Sequence, residues 1–304
     1  FSFTTIKCSV LSIFKLPIIF CKIFSAMYQA DHIHLRCPGN MGLVGCFVQM
    51  LFPYKTKTAK YAGNWDPKSQ QPWTYKLQKF ILSNTFLTKN MQVLVYGEWE
   101  NQSKNIKPFF TATYRESEKE IIKKTTLKSV VKFVFVGSLV KGKKPLYAIK
   151  VIEELLKDGL NVTLDLYGEG VEGEKLQSYI ELNNLERNII LLGNQNKEVL
   201  KAAYKNSHFV ILPSISEGWP KAIAEGMFWG CVPVATEVSC IGTMLNHGKR
   251  GILLKMDLNL DLLQLEDVIK NENCFLNKSQ LALEWSRNFT IDFFENEIKN
   301  ILLK

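Results

Sequence analysis

The sequence predicts an α/β protein built from two parallel-sheet domains. Three observations carry that reading. Apolar runs rich in Val, Ile, Leu and Phe alternate with helix-length periodic segments from about residue 130 to residue 255. Such alternation calls for βαβ units and a doubly wound parallel sheet with right-handed crossovers. A shorter series of the same kind precedes it, and the polar stretch TATYRESEKEIIKKTT (111–126) lies between the two as a linker candidate. The third observation is bulk: 304 residues, 46% hydrophobic and 22% charged, suit two domains and exclude a disordered or fibrous chain.

Residues 8–28, CSVLSIFKLPIIFCKIFSAMY, are the most apolar stretch, interrupted by Lys15, Pro17 and Lys22. Those interruptions count against a membrane span and favour an amphipathic helix, laid either on the domain core or on a membrane surface. DHIHLRCPGN then reads as a strand leaving into a loop, MGLVGCFVQML as a helix, TAKYAGN as a short strand, QPWTYKLQKFILSNTF as a helix and MQVLVYG as a strand. That is too few strands for a complete sheet, and the first residue is Phe1, so an incomplete first domain is expected.

Beyond the polar stretch the pattern is regular. VKFVFVGS, NVTLDLYGEG, NIILLGN, HFVILPS, VPVAT and GILL read as strands. PLYAIKVIEELLKDG, EGEKLQSYIELNNL, NKEVLKAAYKNS and PKAIAEGMFWG read as the intervening helices, with Gly159 as a stop for the first. The last stretch, 279–304, reads as helical, with Trp285, Phe289, Phe293 and Phe294 available for packing.

Net charge is +9, and residues 1–120 hold 15 Lys and Arg against 7 Asp and Glu, so the basic character belongs to the first domain. Nucleic acid, an anionic membrane or an acidic substrate would each answer it, as would a plain solvated surface. No interleaving of aromatic and basic residues supports nucleic acid, and none is expected as a partner. Seven cysteines occur without a C-x-x-C pair, and the four histidines are scattered. These read as reduced thiols in a reducing compartment, with no metal site.

Three stretches bear on chemistry. GEGVEG (168–173) fits G-x-G-x-x-G between a strand and a helix. Yet Glu169, Glu172 and Glu174 would crowd a pyrophosphate, and the next strand ends without an acidic residue for a ribose. It reads as a glycine-rich βα turn. SISEGWPKAIAEG (214–226) is more telling, with Glu217 and Glu225 separated by seven residues. Pro220 suits the first helical position and would make Trp219 the N-cap, which an indole cannot serve as an acceptor. Uncapped first-turn amides at the carboxyl end of a parallel strand form an anion site, with Lys221 beside it and small Ala222, Ala224 and Gly226 permitting close approach. A carboxylate suits a vicinal diol, so two of them flanking a phosphate site describe a nucleotide-sugar. The bland alternative makes Glu217 a cap in its own turn and Glu225 a solvated helix residue. VGSLVKGKKPL (136–146) follows the first strand of the second domain and brings Lys141, Lys143 and Lys144 to the same sheet edge, where they can neutralise a diphosphate leaving group.

VGSLVKGKKPLYAI, LDLYGEG, NIILLGN and above all VILPSISEGWPKAIAEGMFWGCVPVAT resemble the retaining glycosyltransferases of family four, of bacterial cell-surface polysaccharide type. The resemblance covers roughly residues 130–250, with four motifs in order. It implies a GT-B fold, two Rossmann-like domains facing a cleft: an acceptor-side domain at 1–120 lacking about three strands, a donor-binding domain at 121–280, and a helix at 281–304 returning toward the first domain. It implies Glu225 on the donor's ribose hydroxyls and Glu217 near the reacting carbon. Gly218, Trp219, Lys221 and Ala222 would supply the diphosphate site, with Gly137, Ser138 and either Lys143 or Lys144 from the first loop. Ser138 stands where the family carries Arg. His34 matches one of two family histidines, with Arg36 at the other, and Asn64, Trp65 and Asp66 fall where an acceptor-side loop is expected. The family is metal-independent, so no cofactor is implied, and the expected partners are a nucleotide-sugar such as a UDP- or GDP-sugar and a glycan or lipid-linked acceptor. A cytoplasmic location follows, with peripheral contact at the anionic inner membrane face. A non-catalytic sugar-nucleotide-binding protein of the same fold is the alternative.

Overall fold

The computed structural model describes residues 6–122, 124 and 127–303, with side chains from residue 15 onward. It divides into two compact units, Phe1–Phe110 and Thr111–Lys304. The division falls ahead of the expected 120/121 limit, so the start of the polar stretch belongs with the second unit.

The first unit opens with helix α1 (Ile6–Gln29). Leu16, Ile19, Phe20, Ile23 and Met27 recur at three- and four-residue spacing, and this stripe packs on the unit's core. Ile18, Phe24 and Tyr28 point to solvent. Strand β1 (His32–Cys37), helix α2 (Asn40–Val48), β2 (Thr56–Tyr61), α3 (Trp73–Ser83) and β3 (Met91–Tyr96) follow. They match the expected elements. A fourth strand, β4 (Ile106–Phe109), has no counterpart in the sequence reading. Its four residues include Pro108, which has no amide to donate, and it lies at the sheet edge where that loss is tolerated. The sheet order is β1-β2-β3-β4, parallel at each pairing.

The second unit has six strands among the described residues: β5 (Val131–Val136), β6 (Val162–Tyr167), β7 (Ile189–Leu191), β8 (Phe209–Leu212), β9 (Val232–Thr236) and β10 (Ile252–Leu254). Helices α4 (Pro145–Lys157), α5 (Gly173–Leu182), α6 (Lys197–Asn206) and α7 (Lys221–Phe228) connect the first five, as the periodicity predicts. Short α8 (Ile241–Met244) precedes β10, and α9 (Leu258–Lys270) and α10 (Glu272–Ser286) follow it. The terminal stretch is two helices rather than one. Thr290 accepts from the amide of Phe293 at 3.2 Å and starts a new helix, α11 (Ile291–Leu302).

The parallel sheet runs β10-β9-β8-β5-β6-β7. From β5 the chain moves outward through β6 to β7, then returns to β8 on the other side of β5 and moves outward again. The loops after β5 and β8 therefore leave adjacent strands in opposite directions. That reversal opens a crevice at the carboxyl edge of the sheet. The core is aliphatic and aromatic, with Phe133, Phe209 and Phe275 buried and Phe133 stacked on Phe209 at 4.8 Å. No helix among the described residues is long and apolar enough to cross a membrane.

Candidate functional site

The crevice is assembled by three loops. After β5 the chain passes Gly137 and Ser138 into a 3₁₀ turn, Lys141–Lys143, and Lys144 adopts a left-handed conformation (φ 48°) before Pro145 opens α4. After β8 comes the segment that carries Glu217. A backbone bond from the amide of Ile215 to the carbonyl of Gly142, 2.8 Å, ties these two loops together.

The loop after β6 braces the first one from behind. Leu139 donates to the carbonyl of Glu169 at 3.0 Å and accepts from the amide of Glu172 at 3.0 Å. A Cβ on Gly168 would lie 2.0 Å from the Gly137 carbonyl oxygen, and one on Gly170 would lie 2.4 Å from that of Leu139. The glycines of GEGVEG thus allow two backbones to touch, in agreement with a βα turn rather than a dinucleotide fingerprint.

The cavity so formed holds about 520 Å³. Gly137, Ser138 and Lys143 line it from the β5 side, and Glu217, Trp219, Lys221, Ala222 and Glu225 from the β8 side. Glu217 is 8% exposed, and its Oε1 lies 2.5 Å from Lys143 Nζ. Two residues 74 positions apart thereby meet as a charge-assisted pair at the mouth of the strand reversal. Lys143 takes this place; Lys144, the alternative register, is the left-handed residue ahead of α4 and does not line the cavity. Gly218 does not line it either. Its carbonyl accepts from Ser239 Oγ at 3.0 Å, which fastens the loop to the one after β9.

Helix α7 begins one residue later than the sequence predicts. Pro220 is itself the N-cap (φ −76°, ψ 79°), and Lys221 is the first helical residue. Proline's side chain has no acceptor, so the expectation of a helix start without a side-chain cap stands, with Trp219 moved outside it. The Trp219 ring stacks instead on Trp285 of α10, 6.5 Å away, and meets Phe289 edge-on at 5.8 Å. Gly226 is a packing glycine: a Cβ there would stand 2.5 Å from Val210 Cγ1 in β8. This closeness sets α7 hard against the strand whose end it extends.

Glu225 is 7% exposed. Its Oε2 accepts from Tyr204 Oη at 3.1 Å, and Lys221 Nζ lies 3.5 Å from Oε1. Burial, followed by the charge of Glu225, raises the pKa of the Tyr204 phenol well above its ordinary value and raises that of Tyr114 as well. Both therefore stay neutral at physiological pH.

Tyr114 and Lys197 line the cavity and were absent from the sequence reading. Lys197 Nζ sits 4.9 Å over the Tyr114 ring and 3.0 Å from Glu118. Tyr114 was hidden in the polar stretch. Lys197 carried a usable signal, because it opens the helix that follows β7 at the same sheet edge.

The candidates of the first unit are placed differently. Asn64 is buried, and its Oδ1 accepts from the amide of Asp66 at 2.9 Å. Asp66 Oδ1 accepts from the amide of Lys68 at 2.8 Å, so both side chains close turns in their own loop. Trp65 is buried and donates to Gln102 at 2.9 Å. His34 Nδ1 is 2.8 Å from Thr58 Oγ1 on β2, beside His32 at 2.9 Å, and burial together with the charges of His32, Arg36 and Lys60 lowers its pKa.

The model of the family described as "Glycosyl transferases group 1" matches residues 117–277, more than half of the chain and all of the strand reversal. The chain belongs to that family. An uncharacterised glycosyltransferase of Methanocaldococcus jannaschii is 27% identical over 158 residues, 52% of this chain and 43% of the relative. Protein CapJ of Staphylococcus aureus is 24% identical over 283 residues, 89% of this chain and 72% of CapJ. The chain thus spans less than half the length of the first of these group 1 relatives. A variant of TarM from S. aureus, solved with Fondaparinux, alpha-GlcNAc-glycerol and UDP, superposes with a TM-score of 0.68 at 19% identity, over 94% of this chain and 58% of TarM. At that identity the likeness establishes the fold alone, GT-B with two parallel-sheet domains.

Proposed function

We propose that the crevice of the second unit binds a nucleotide-sugar and that the protein transfers its sugar to a glycan or lipid-linked acceptor. The observation that carries this is the meeting of Lys143 with Glu217 at the strand reversal, eight residues before Glu225 and directly ahead of a helix start without a side-chain cap. Each part has a distinct chemical task. The first-turn amides of α7 and Lys143 offer positive potential to a diphosphate. Glu225 offers two oxygens to the ribose hydroxyls. In this reading Glu217, paired with Lys143 in the cavity wall, faces the donor sugar and can orient Lys143 or stabilise positive charge at the reacting carbon.

In the retaining course we propose, the acceptor oxygen bonds to the anomeric carbon on the face from which the diphosphate departs. The bond from that carbon to the phosphate oxygen breaks, and the acceptor's proton passes to the departing phosphate. Lysine and amide dipoles supply the charge neutralisation, so the reading invokes no metal ion.

A thermal-shift panel of UDP, GDP, ADP and their sugars tests the reading. Stabilisation by one nucleoside diphosphate, lost in Glu225→Ala, is expected. No shift with any of them would contradict it. Donor binding without transfer to any acceptor would instead favour a sugar-nucleotide-binding protein of the same fold.

We propose further that the first unit makes peripheral contact with an anionic membrane at the cytoplasmic face. Residues 1–110 hold 13 Lys and Arg against 4 Asp and Glu. Ile18, Phe24 and Tyr28 on α1 and Leu51 and Tyr54 beyond α2 are exposed, with Phe24 5.1 Å from Phe52 and Lys55 Nζ 5.7 Å from the Phe52 ring. Aromatic side chains mixed with lysines suit the headgroup region. Flotation with vesicles containing phosphatidylserine, and not with phosphatidylcholine alone, is expected. Equal recovery with neither vesicle would remove the membrane from the account.

A further inference from the structure

We propose that Tyr204 is the positioning residue for Glu225, fixing that carboxylate so that it meets the vicinal 2′ and 3′ hydroxyls of a ribose. The inference rests on the nucleotide-sugar reading above and adds a residue to it that lies outside the cavity.

Tyr204 is on α6, is wholly buried, and reaches Glu225 on α7 from 21 positions away. A phenol buried this deeply must spend its hydroxyl on a polar partner or lose a hydrogen bond on folding. The partner it has is Glu225 Oε2, while Lys221 stands nearest the other carboxylate oxygen, Oε1. The backbone of Tyr204 is itself pinned. Its carbonyl accepts from Lys124 Nζ at 2.8 Å and from Cys231 Sγ at 3.0 Å. Lys124 Nζ also donates to the carbonyl of Ser207 at 2.6 Å, which ties down the carboxyl end of α6.

The other oxygen is held loosely. Lys221 has a side chain 61% exposed and stands 3.5 Å from Oε1, a contact that solvent weakens and a ligand can displace. A carboxylate has about four lone-pair positions, of which the phenol takes one. Those on Oε1 remain for a diol, at an orientation set from behind. Because the phenol stays neutral, it donates throughout the physiological pH range. Without that donor, the carboxylate would be steered by exposed Lys221 alone.

The test is calorimetric titration of the full chain and of Tyr204→Phe with UDP and with 2′,3′-dideoxy-UDP. The inference predicts that Tyr204→Phe weakens UDP about tenfold and leaves the dideoxy nucleotide unchanged, since only the diol reads the carboxylate's placement. A merely structural role would weaken both equally. The ratio of the two affinities in one sample does not depend on how much of the variant is folded. Equal loss for both nucleotides, or loss for neither, would overturn the inference. Glu225→Ala separates this from the underlying reading. If Glu225→Ala loses the preference for UDP and Tyr204→Phe keeps it, only the positioning role fails. If Glu225→Ala leaves both affinities unchanged, the ribose assignment itself fails.

Discussion

The two units share one construction, parallel strands joined by helices, and differ in strand order. In the first the order runs β1-β2-β3-β4 without reversal; in the second it reverses between β5 and β8. The consequence is visible in what polar side chains do. Lys143, Glu217, Glu225 and Lys221 converge on a cavity at the reversal. Asn64 and Asp66 turn their acceptors back on the amides of their own loop, and His34 sits against Thr58 of the neighbouring strand. The second unit's candidates meet where the topology sends two loops apart and leaves amides and charges facing the same space.

Substitutions can break this contrast, beginning with the largest expected effect. Removing Lys143 or Glu217 should lower sugar transfer at least about a hundredfold, the scale of losing one electrostatic contact to the developing charge. Steady-state kinetics with a labelled nucleotide-sugar would measure it, and a Lys143→Ala enzyme with full turnover would remove that residue from the leaving-group role. Glu225→Ala should weaken nucleoside diphosphate binding about ten- to thirtyfold, the cost of one charge-assisted hydrogen bond, and should also lower the melting temperature by a few degrees, because the buried Tyr204 hydroxyl loses its acceptor. Gly226→Val should destabilise the second unit by about 2 kcal/mol through overpacking against Val210, read as an earlier denaturant midpoint. The smallest effect on the nucleotide is expected from Asn64→Ala and Asp66→Ala. Each should cost about 1 kcal/mol of stability through a lost turn bond and none of the nucleotide affinity. Weakened binding in either would erase the contrast between the units.

Much of this was legible in the residues. The strands of the second unit are Val, Ile, Leu and Phe runs bounded by glycine and polar turns, which leaves little room for another reading. Glu217 and Glu225 draw attention by their spacing, which by itself leaves the alternative of a turn cap and a solvated helix residue open, and Lys141, Lys143 and Lys144 all follow a strand at the same sheet edge, where the fold brings Lys143 to the cavity. What stayed hidden depends on the fold. β4 carries a proline that argues against a strand until its edge position is seen. The break at Thr290 needs a cap visible only as a hydrogen bond. Tyr204 looks like any aromatic on an amphipathic helix, and its hydroxyl acquires meaning from a partner on another helix. Pro220, which the sequence places at the first helical position, is the cap itself, one residue ahead of the helix.

The most direct test is a crystal structure of the full chain with UDP. The account predicts diphosphate oxygens within about 3.5 Å of Lys143 Nζ and of the amides that open α7, with the ribose hydroxyls on Glu225. A nucleotide bound elsewhere, with the Lys143–Glu217 pair untouched, would contradict it.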